Sequence, residues 1–233
     1  MIESNNVYMH DHFINQLKEL LEGELPGKKA QNKMSPNVRF TGKIIPNRDE
    51  IRESSVLILL YMKDNQLHIP FTQRPKYNGA HSGQISLPGG KVEPQDKNLL
   101  ETALRETHEE IGVTSENLQI LGSLTPTYIP NSNFNVTPYI AYTKELPTFI
   151  PDSYEVEKII EAPLNDLISP KALDIFIRTI NGHNIKAPYF NVDNHQIWGA
   201  TAMIISELKE IINTLLDSNP LDSCNAHNDQ VSL

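Results

Sequence analysis

The sequence predicts an α/β or α+β fold in which helices cover a β-sheet. Apolar runs of strand length alternate along the chain with amphipathic helical segments, which is the pattern of a layered domain. The run 56–60 is apolar at every position, as expected for a strand that is buried on both faces. At 233 residues with 39% hydrophobic residues, the chain is long enough to bury one substantial core.

The N-terminal part is predicted to be a helix followed by a linker. Apolar residues recur at helical spacing across 12–22, and this helix should end near Gly23. Residues 25–36 are rich in Pro, Gly and Lys and indicate a linker. The chain is therefore divided into this N-terminal segment, a main domain and a polar tail that is expected to be disordered, with the bounds 1–36, 37–218 and 219–233.

The main domain is predicted to open with a hairpin. After the strand 56–60, an Asp-Asn pair at 64–65 indicates a turn into a second strand at 67–71. Pro70 has no N–H to donate to a neighbouring strand, so this strand should lie at an edge or its pairing should break there. Residues 76–91 contain four glycines and are predicted to form a loop.

The clearest helix covers residues 98–111. Asn98 and Glu101 form a capping pair at its start, and Gly112 supplies a stop. The remaining predicted elements are strands at 118–124, 136–142 and 156–162, a short helix at 163–168, a hairpin of 189–192 and 196–198 around Asp193-Asn194, and a last helix at 200–216.

The net charge limits the kinds of molecule that the protein is expected to bind. A formal charge of −9 argues against a surface that binds nucleic acid, because phosphate contacts need clustered Lys and Arg. An acidic protein can still bind a nucleotide when a divalent cation bridges the two negative partners. The composition therefore disfavours a bare phosphate pocket and leaves a metal-assisted one open.

Cysteine content and hydropathy indicate the compartment. Cys224 is the only cysteine, which excludes an intrachain disulfide and a cysteine-based zinc site. The longest apolar run, 56–62, is too short to span a membrane. Residues 1–11 lack the charged and then apolar pattern of a secretory signal. We therefore expect a soluble, cytoplasmic protein without a membrane partner.

The chemistry is predicted to lie on the helix 98–111. Residues three and four positions apart share a helix face, so Glu106, Glu109 and Glu110 project together. Their mutual repulsion disfavours the helix unless a cation offsets it, and Mg²⁺ commonly joins a few carboxylates to substrate phosphates. Arg105 is spaced to pair with either Glu101 or Glu109. Taken alone, the three glutamates fit a solvated acidic face equally well.

The glycine pair before this helix changes that balance. Gly89-Gly90 lies where a backbone without side chains can approach a phosphate group closely. A glycine turn beside a row of carboxylates favours a site for a metal and a phosphate over a solvated face.

Residues 90–113 resemble the Nudix box. The second half, Arg105-Glu106-Thr107-His108-Glu109-Glu110-Ile111-Gly112-Val113, fits the pattern apart from Thr107, which stands at an apolar position. In the first half, Asp96 stands where the general pattern has Glu, and one additional residue precedes Arg105. This arrangement is similar to that of the coenzyme A pyrophosphatase branch of the family.

Flanking segments resemble the same branch from residue 56 to residue 216. They are 71–74, 83–90, 128–132, 136–138, 155–156, 163–164 and 197–202. Three positions depart from the branch pattern: Pro75 replaces Ser, Leu87 replaces Phe and Gly79 replaces Arg. Since an arginine grips phosphate with two hydrogen bonds, another residue has to replace it. The candidates are Lys76, His81 and Lys91.

The resemblance implies a Nudix-type α/β/α sandwich with a mixed central β-sheet. It also implies a hydrolase dependent on Mg²⁺ or Mn²⁺ that cleaves the pyrophosphate bond of a nucleoside diphosphate derivative. The implied substrate is coenzyme A or an acyl-CoA, cut to 3′,5′-ADP and 4′-phosphopantetheine, and family behaviour favours a homodimer. ADP-ribose, NADH, dinucleoside polyphosphates and damaged nucleotides are alternative substrates. A catalytically silent nucleotide sensor is the alternative of another class, which the complete glutamate set disfavours.

The resemblance assigns roles to individual residues. The metal ligands are expected to be Glu106, Glu109, Glu110 and the carbonyl of Gly89, and the catalytic set comprises these glutamates and Arg105, which orients Glu109. The expected substrate contacts are Arg74, His81, Gly83, Gly90 and Lys91. Glu155 is either an extra metal ligand or general base, or a surface charge.

For four further side chains the sequence either leaves a functional and a structural role open or favours the structural role. His81 either contacts phosphate or transfers a proton, or it only packs within its loop. His108 is turned away from the glutamate face and should be exposed to solvent. Tyr128 either stacks on a base or packs, and Trp198 is expected in the core.

Overall fold

A mixed β-sheet forms the centre of the protein. The computed structural model describes residues 2–37, 51–76, 83–130, 132–180 and 183–218. Within these residues, eight strands form one sheet, in which β1 (Arg52–Lys63) runs parallel to β7 (Phe134–Thr143) and antiparallel to β2 (Gln66–Gln73). The other strands of this sheet are β3 (Ile85–Ser86), β4 (Gly89–Lys91), β5 (Gln119–Ser123), β6 (Thr127–Ile129) and β8 (Lys158–Pro163).

Helices cover both faces of this sheet, because β1 is apolar on both sides of its pleat. Ile58 and Leu60 belong to the core beneath α1 (Ile2–Leu21) and α5 (Ala200–Ser218). The alternate residues Leu57 and Leu59 lie in a second core beneath α3 (Leu99–Ile111). All four side chains are completely buried. The α/β/α sandwich with a mixed sheet is therefore confirmed, as is the strand buried on both faces.

The N-terminal segment is more helical than its sequence predicts. α1 begins at Ile2 rather than at residue 12, since residues 2–11 contain no glycine or proline to stop it. The linker prediction for 25–36 is wrong in its secondary structure: the segment contains α2 (Gly27–Gln31) and a 3₁₀ turn (Asn32–Met34). Its division from the main domain stays a prediction.

A buried carboxylate explains why this segment folds against the core. Glu207 of α5 has no exposed surface. It accepts hydrogen bonds from the Gly27 amide at 3.1 Å, from Gln31 Nε2 at 2.8 Å and from Thr125 Oγ1 at 2.7 Å. A carboxylate with several donors can be buried, and here it joins α2, α5 and the turn after β5.

Strand pairing departs from the prediction in the glycine-rich region. Around Pro70, β2 pairs with β8, whereas its ladder with β1 ends at His68, so the expected break is present. Residues 76–91 were predicted to be a loop throughout, which is wrong, because β3 and β4 lie within them. These strands have only two and three residues, so their sequences show no alternation of apolar and polar residues. Pairing with β2 and β1 holds them in the sheet.

A separate three-stranded sheet lies between α4 (Leu164–Ile168) and α5. It consists of β9 (Leu173–Ile180), β10 (His183–Val192) and β11 (His195–Trp198), in the order β11-β10-β9. The hairpin predicted at Asp193-Asn194 is confirmed, with φ of 48° and 60° at the two turn residues. Trp198 is half-buried and packs edge-on against Phe176 in a small cluster on this sheet, outside the main core.

Some sequence predictions meet no structural description. Residues 219–233, with Cys224, lie outside the described residues, and so do Gly79 and His81. Among the helices that the structure describes, none combines the length and hydropathy that crossing a membrane requires.

Candidate active site

The helix α3 begins and ends as its sequence predicts. Asn98 Oδ1 accepts a hydrogen bond from the Glu101 amide, and Glu101 Oε2 accepts one from the Lys97 amide, each at 2.9 Å. Gly112 ends the helix with φ of 76°. Because Glu101 serves this cap, it is not the partner of Arg105. Thr107, at the apolar position of the box, is buried and satisfies its hydroxyl on the Ala103 carbonyl at 2.6 Å.

Arg105 links three carboxylates at one end of the sheet. Its Nε and Nη2 bind Asp96 Oδ1 and Oδ2, each at 2.9 Å. Its Nη1 donates to Glu106 Oε1 and to Glu109 Oε2, again at 2.9 Å each. A guanidinium held on its fork by one carboxylate cannot turn freely. Arg105 therefore fixes both glutamates, including the predicted contact with Glu109.

Asp96 is a site residue that the sequence prediction omitted. Its side chain is only 3% exposed, and it also accepts hydrogen bonds from Thr102 Oγ1 and the Glu93 amide, each at 2.9 Å. The hydrogen bonds from Arg105 hold the pKa of this carboxyl well below its usual range. The available signal was its position in the box, where the general pattern has Glu. The residue inserted after it is accommodated without loss of the ion pair.

The two glycines before the helix are required by close contact with the glutamates. Gly90 lies on β4, where an added Cβ would stand 2.5–2.6 Å from the carboxyl atoms of Glu106. Gly89, with φ of 148°, donates its amide to Glu110 Oε2 at 3.2 Å. A side chain on Gly89 would also collide with the backbone of Ser55 on β1. Glycine at both positions therefore brings the strand directly against the carboxylates.

The three glutamates of the helix lie in different environments. The Glu109 side chain is 57% exposed, the Glu106 side chain 13%, and Glu110 as a residue only 4%. Burial raises the pKa of Glu110 to about 8, although the Gly89 amide and Arg74 oppose this and Glu106 and Glu155 add to it. Burial likewise raises the pKa of Glu106. Glu106 and Glu110 therefore ionise less readily than ordinary glutamates.

Glu155 lies beside this cluster although it is distant in sequence. The Asp152 amide donates to the Glu110 carbonyl at 3.0 Å, which attaches the segment before β8 to the end of α3. Asp152 Oδ1 in turn accepts from the Glu155 amide at 3.1 Å. Glu155 is exposed, and its charge contributes to the raised pKa values of Glu106 and Glu110. A solvent-accessible carboxylate is therefore close enough to act on the charge of the inner glutamates.

Comparison with known proteins identifies the family. The NUDIX domain model matches residues 51–179, which include β1, the glycine strand and α3. The chain is 30% identical over 162 residues to an uncharacterized Nudix hydrolase NudL of Photorhabdus laumondii, covering 70% of this chain and 86% of that protein. This chain belongs to the Nudix hydrolase family. The residues from Gly90 to Val113 are thus its Nudix box.

Other Nudix proteins are similar over comparable lengths. NudL of Yersinia enterocolitica, also named uncharacterized, is 35% identical over 145 residues, which are 61% of this chain and 72% of that protein. Among solved structures, the Nudix hydrolase RenU of M. smegmatis aligns with 71% of this chain and 88% of its own, at 14% identity and a TM-score of 0.47.

The Nudix box carboxylates suit a hard divalent cation in chemical type. In the part of the chain that the structure describes, no three acidic, histidine or cysteine side chains are close enough to hold one ion as they stand. Glu106 and Glu109 both turn to Arg105 Nη1, while Glu110 turns to the Gly89 amide. Burial and repulsion that raise the pKa of two neighbouring carboxyls are relieved by a cation. The donor types therefore fit such a cation, while the side chains as described are turned to Arg105 and the Gly89 amide.

Only some of the residues that are predicted to contact the substrate lie near the glutamates of the Nudix box. Arg74 is close enough to Glu110 to lower its pKa, and the Arg74 amide donates to the Gln84 carbonyl at 2.9 Å. Lys91 ends β4 with an exposed side chain, and its carbonyl accepts from Arg105 Nη2 at 3.2 Å. Gly83 adopts φ of 65° in the turn before β3, where its amide donates to the Pro75 carbonyl. Of these predicted contacts, Arg74 is the one whose charge acts on a glutamate of the Nudix box.

Two further side chains have structural surroundings. His108 is exposed to solvent, as predicted. Tyr128 is half-buried on β6 and donates its hydroxyl to Asn133 Oδ1 at 2.7 Å, which favours the packing interpretation over base stacking.

Proposed function

We propose that this Nudix hydrolase cleaves the pyrophosphate bond of coenzyme A or an acyl-CoA, releasing 3′,5′-ADP and 4′-phosphopantetheine. Membership of the family supports hydrolysis of a nucleoside diphosphate derivative. One observation carries the assignment of the site: Gly89 and Gly90 lie directly against Glu110 and Glu106. A phosphate that enters beside these glycines meets the carboxylates at once.

Mg²⁺ or Mn²⁺ is the cofactor that the donor set fits. The residues that would hold it are Glu106, Glu109 and Glu110, with the Gly89 carbonyl. Such a cation neutralises a diphosphate and lowers the pKa of a bound water. This reconciles a chain of net charge −9 with an anionic substrate.

Positioning in this site depends on Arg105 and Asp96. The bidentate pair between them leaves Nη1 of the guanidinium to align Glu106 and Glu109. Through this one nitrogen, Arg105 keeps the two carboxylates together beside the glycine strand. Arg105 thus acts through the glutamates and has no direct part in the chemistry.

Proton transfer is assigned to Glu155. It is exposed and therefore in contact with water, whereas Glu110 is buried and Glu106 is occupied by Arg105. A general base has to reach the attacking water, which an exposed side chain can do. Arg74, whose charge already acts on Glu110, is assigned to bind a phosphate oxygen of the substrate.

A substrate panel tests this function. The full chain is incubated with coenzyme A, ADP-ribose, NADH and a dinucleoside tetraphosphate, each with Mg²⁺, Mn²⁺ or EDTA, and products are separated by chromatography. We expect coenzyme A to give the two products named above in the presence of either cation. Faster turnover of another member of the panel would contradict the substrate assignment and leave the site intact.

A variant pair tests the site separately from the substrate. Glu109→Gln should lower turnover of whichever substrate is used by roughly 100-fold, because a ligand for the cation is lost. Glu116→Gln, which changes an exposed glutamate beyond the helix, should match the wild type. Equal activity of Glu109→Gln and the wild type would exclude the proposed site. Tight nucleotide binding without turnover, with or without a cation, would support a sensor instead.

A further inference from the structure

The second sheet ends in a strand whose outer edge no described strand covers. Among the strands that the structure describes, β9 pairs only with β10, in a register that places Ile177 opposite Lys186. The Lys186 carbonyl accepts from the Asn37 amide at 2.8 Å on the other side of β10. In an antiparallel ladder a residue directs its N–H and C=O to one side, so this pair is not hydrogen-bonded to each other. Ile177 therefore directs its backbone groups to the outer edge.

Ile175 lies two residues away and has the same orientation. Its amide donates to Oδ1 of the preceding Asp174 at 2.7 Å, as expected for an amide that β10 does not use. Uncovered edges template the pairing of further strands, and proteins usually protect them with lysine, proline or a bulge. Here the outward-facing backbone includes that of Leu173, Ile175 and Ile177, none of which is a lysine, a proline or a bulge.

The side chains of this edge strand are apolar on one face. Leu173 is 45% exposed, Ile175 54% and Ile177 70%, which are high values for residues of this type. They alternate along β9, so they form one continuous stripe. An exposed stripe of this kind beside an uncovered edge marks an interaction surface.

The charged side chains on the opposite face of β9 indicate which partner strand fits this edge. Asp174 and Arg178 flank Phe176 symmetrically, two residues before it and two residues after it. If a second copy of β9 pairs antiparallel about an axis through Phe176, Asp174 of each copy stands opposite Arg178 of the other. Ile175 then stands opposite Ile177 on the apolar face. Such self-complementarity is the requirement of a two-fold symmetric interface.

We propose that two copies of this chain associate through their β9 strands, which join the two small sheets into one antiparallel sheet. On pairing, the Ile175 amide passes from the Asp174 carboxylate to the Ile177 carbonyl of the second copy. The Asp174 carboxylate keeps the hydrogen bond that its Oδ2 accepts from the Tyr189 hydroxyl at 2.8 Å, and its Oδ1 then accepts from Arg178 of the second copy. The Arg178 guanidinium already lies over the Phe176 ring at 4.5 Å and donates to Gln196, so it is held on the face where it is needed. Opposite charges across a strand pair stabilise it, and like charges do the reverse.

Charge reversal on the full chain tests both the surface and its register. Sedimentation of the wild type should give twice the mass of one 26.3 kDa chain. Asp174→Lys and Arg178→Glu each place like charges opposite each other twice, and each should weaken the dimer by roughly tenfold or more. Lys171→Glu, an exposed change outside β9, should leave the dimer unchanged. Circular dichroism of each variant reports whether it is folded.

Mixing the two charge-reversal variants gives the decisive test of the proposed interface. When Asp174→Lys is combined with Arg178→Glu, every pair across the interface is again of opposite charge, so a heterodimer should form from two proteins that each self-associate only weakly. The same restoration is expected for the double variant on its own. A monomeric wild type, a dimer unaffected by the single reversals, or a mixture that stays monomeric would each overturn the proposal.

Discussion

Glu110 should make the stability of the protein depend on pH in a way that a divalent cation reverses. Burial, with the charges of Glu106 and Glu155, raises its pKa to about 8, against 4.5 for an ordinary glutamate. A folded-state pKa above the unfolded value means that protonated Glu110 stabilises the fold fully below about pH 4.5. That contribution is lost as the pH rises through about 8.

The size of the loss follows from the difference between the two pKa values. Because a tenfold change in proton affinity is worth about 1.4 kcal/mol, ionising Glu110 should lower the free energy of unfolding by roughly 3–5 kcal/mol at high pH. Glu110→Gln cannot ionise, and its amide oxygen can still accept from the Gly89 amide. The variant should therefore lack this part of the pH dependence.

Urea unfolding followed by circular dichroism measures the effect. Wild type, Glu110→Gln and Glu116→Gln are compared in EDTA over a pH series that brackets the raised pKa, so that contributions from all other groups cancel in the differences. The wild type and Glu116→Gln should lose stability relative to Glu110→Gln as the pH rises. Mg²⁺ or Mn²⁺ should restore the wild type and not Glu110→Gln. Parallel profiles of wild type and Glu110→Gln in EDTA would refute the reasoning.

Two further predictions concern the contacts around the glutamates. Asp96→Asn removes the charge that holds Arg105, so kcat should fall by about tenfold or more with little change in KM, as steady-state kinetics would show; an unchanged kcat would exclude the positioning role. Gly90→Ala forces the carboxylate of Glu106 to move, which should lower the free energy of unfolding by roughly 1–3 kcal/mol and abolish most activity. Gly23→Ala, where the nearest atom is 3.4 Å from the added Cβ, is the matched control for urea unfolding and activity.

Elements with local signals could be predicted from the sequence. The helix α3 has a cap at Asn98 and a left-handed glycine at its end, and both are read from single residues. The hairpin at Asp193-Asn194 is likewise determined by two residues that tolerate positive φ. The strand β1 is recognisable because both of its faces are apolar.

Elements held by distant contacts could not be predicted. The five residues of α2 carry no helical period, and they are ordered by Glu207, which is far along the chain. The strand β9 was not predicted either, because Phe176 interrupts the alternation of apolar residues with the polar residues Asp174 and Arg178. In a short strand, pairing with a neighbour decides the structure more than propensity does.

The candidate site shows the same division. Helical spacing correctly places Glu106, Glu109 and Glu110 near one another, since it depends on the helix alone. Their exposure differs widely because Gly89 and the segment at Asp152 cover only the innermost of them. The burial of each carboxyl, and with it the charge state, depends on tertiary packing and cannot be inferred from helical spacing.

These contacts determine how the site would accept a cation. Glu106 and Glu109 share one nitrogen of Arg105, so a cation has to compete with that nitrogen for their oxygens. The competition does not free the guanidinium, because Asp96 holds its other two nitrogens by an ion pair that is almost wholly buried. Arg105 would therefore stay beside the glutamates if they turned to a cation, and it would still balance their charge. Asp96 stands at the position where the Nudix box departs from its general pattern, and its ion pair would hold Arg105 in place during that change of partner.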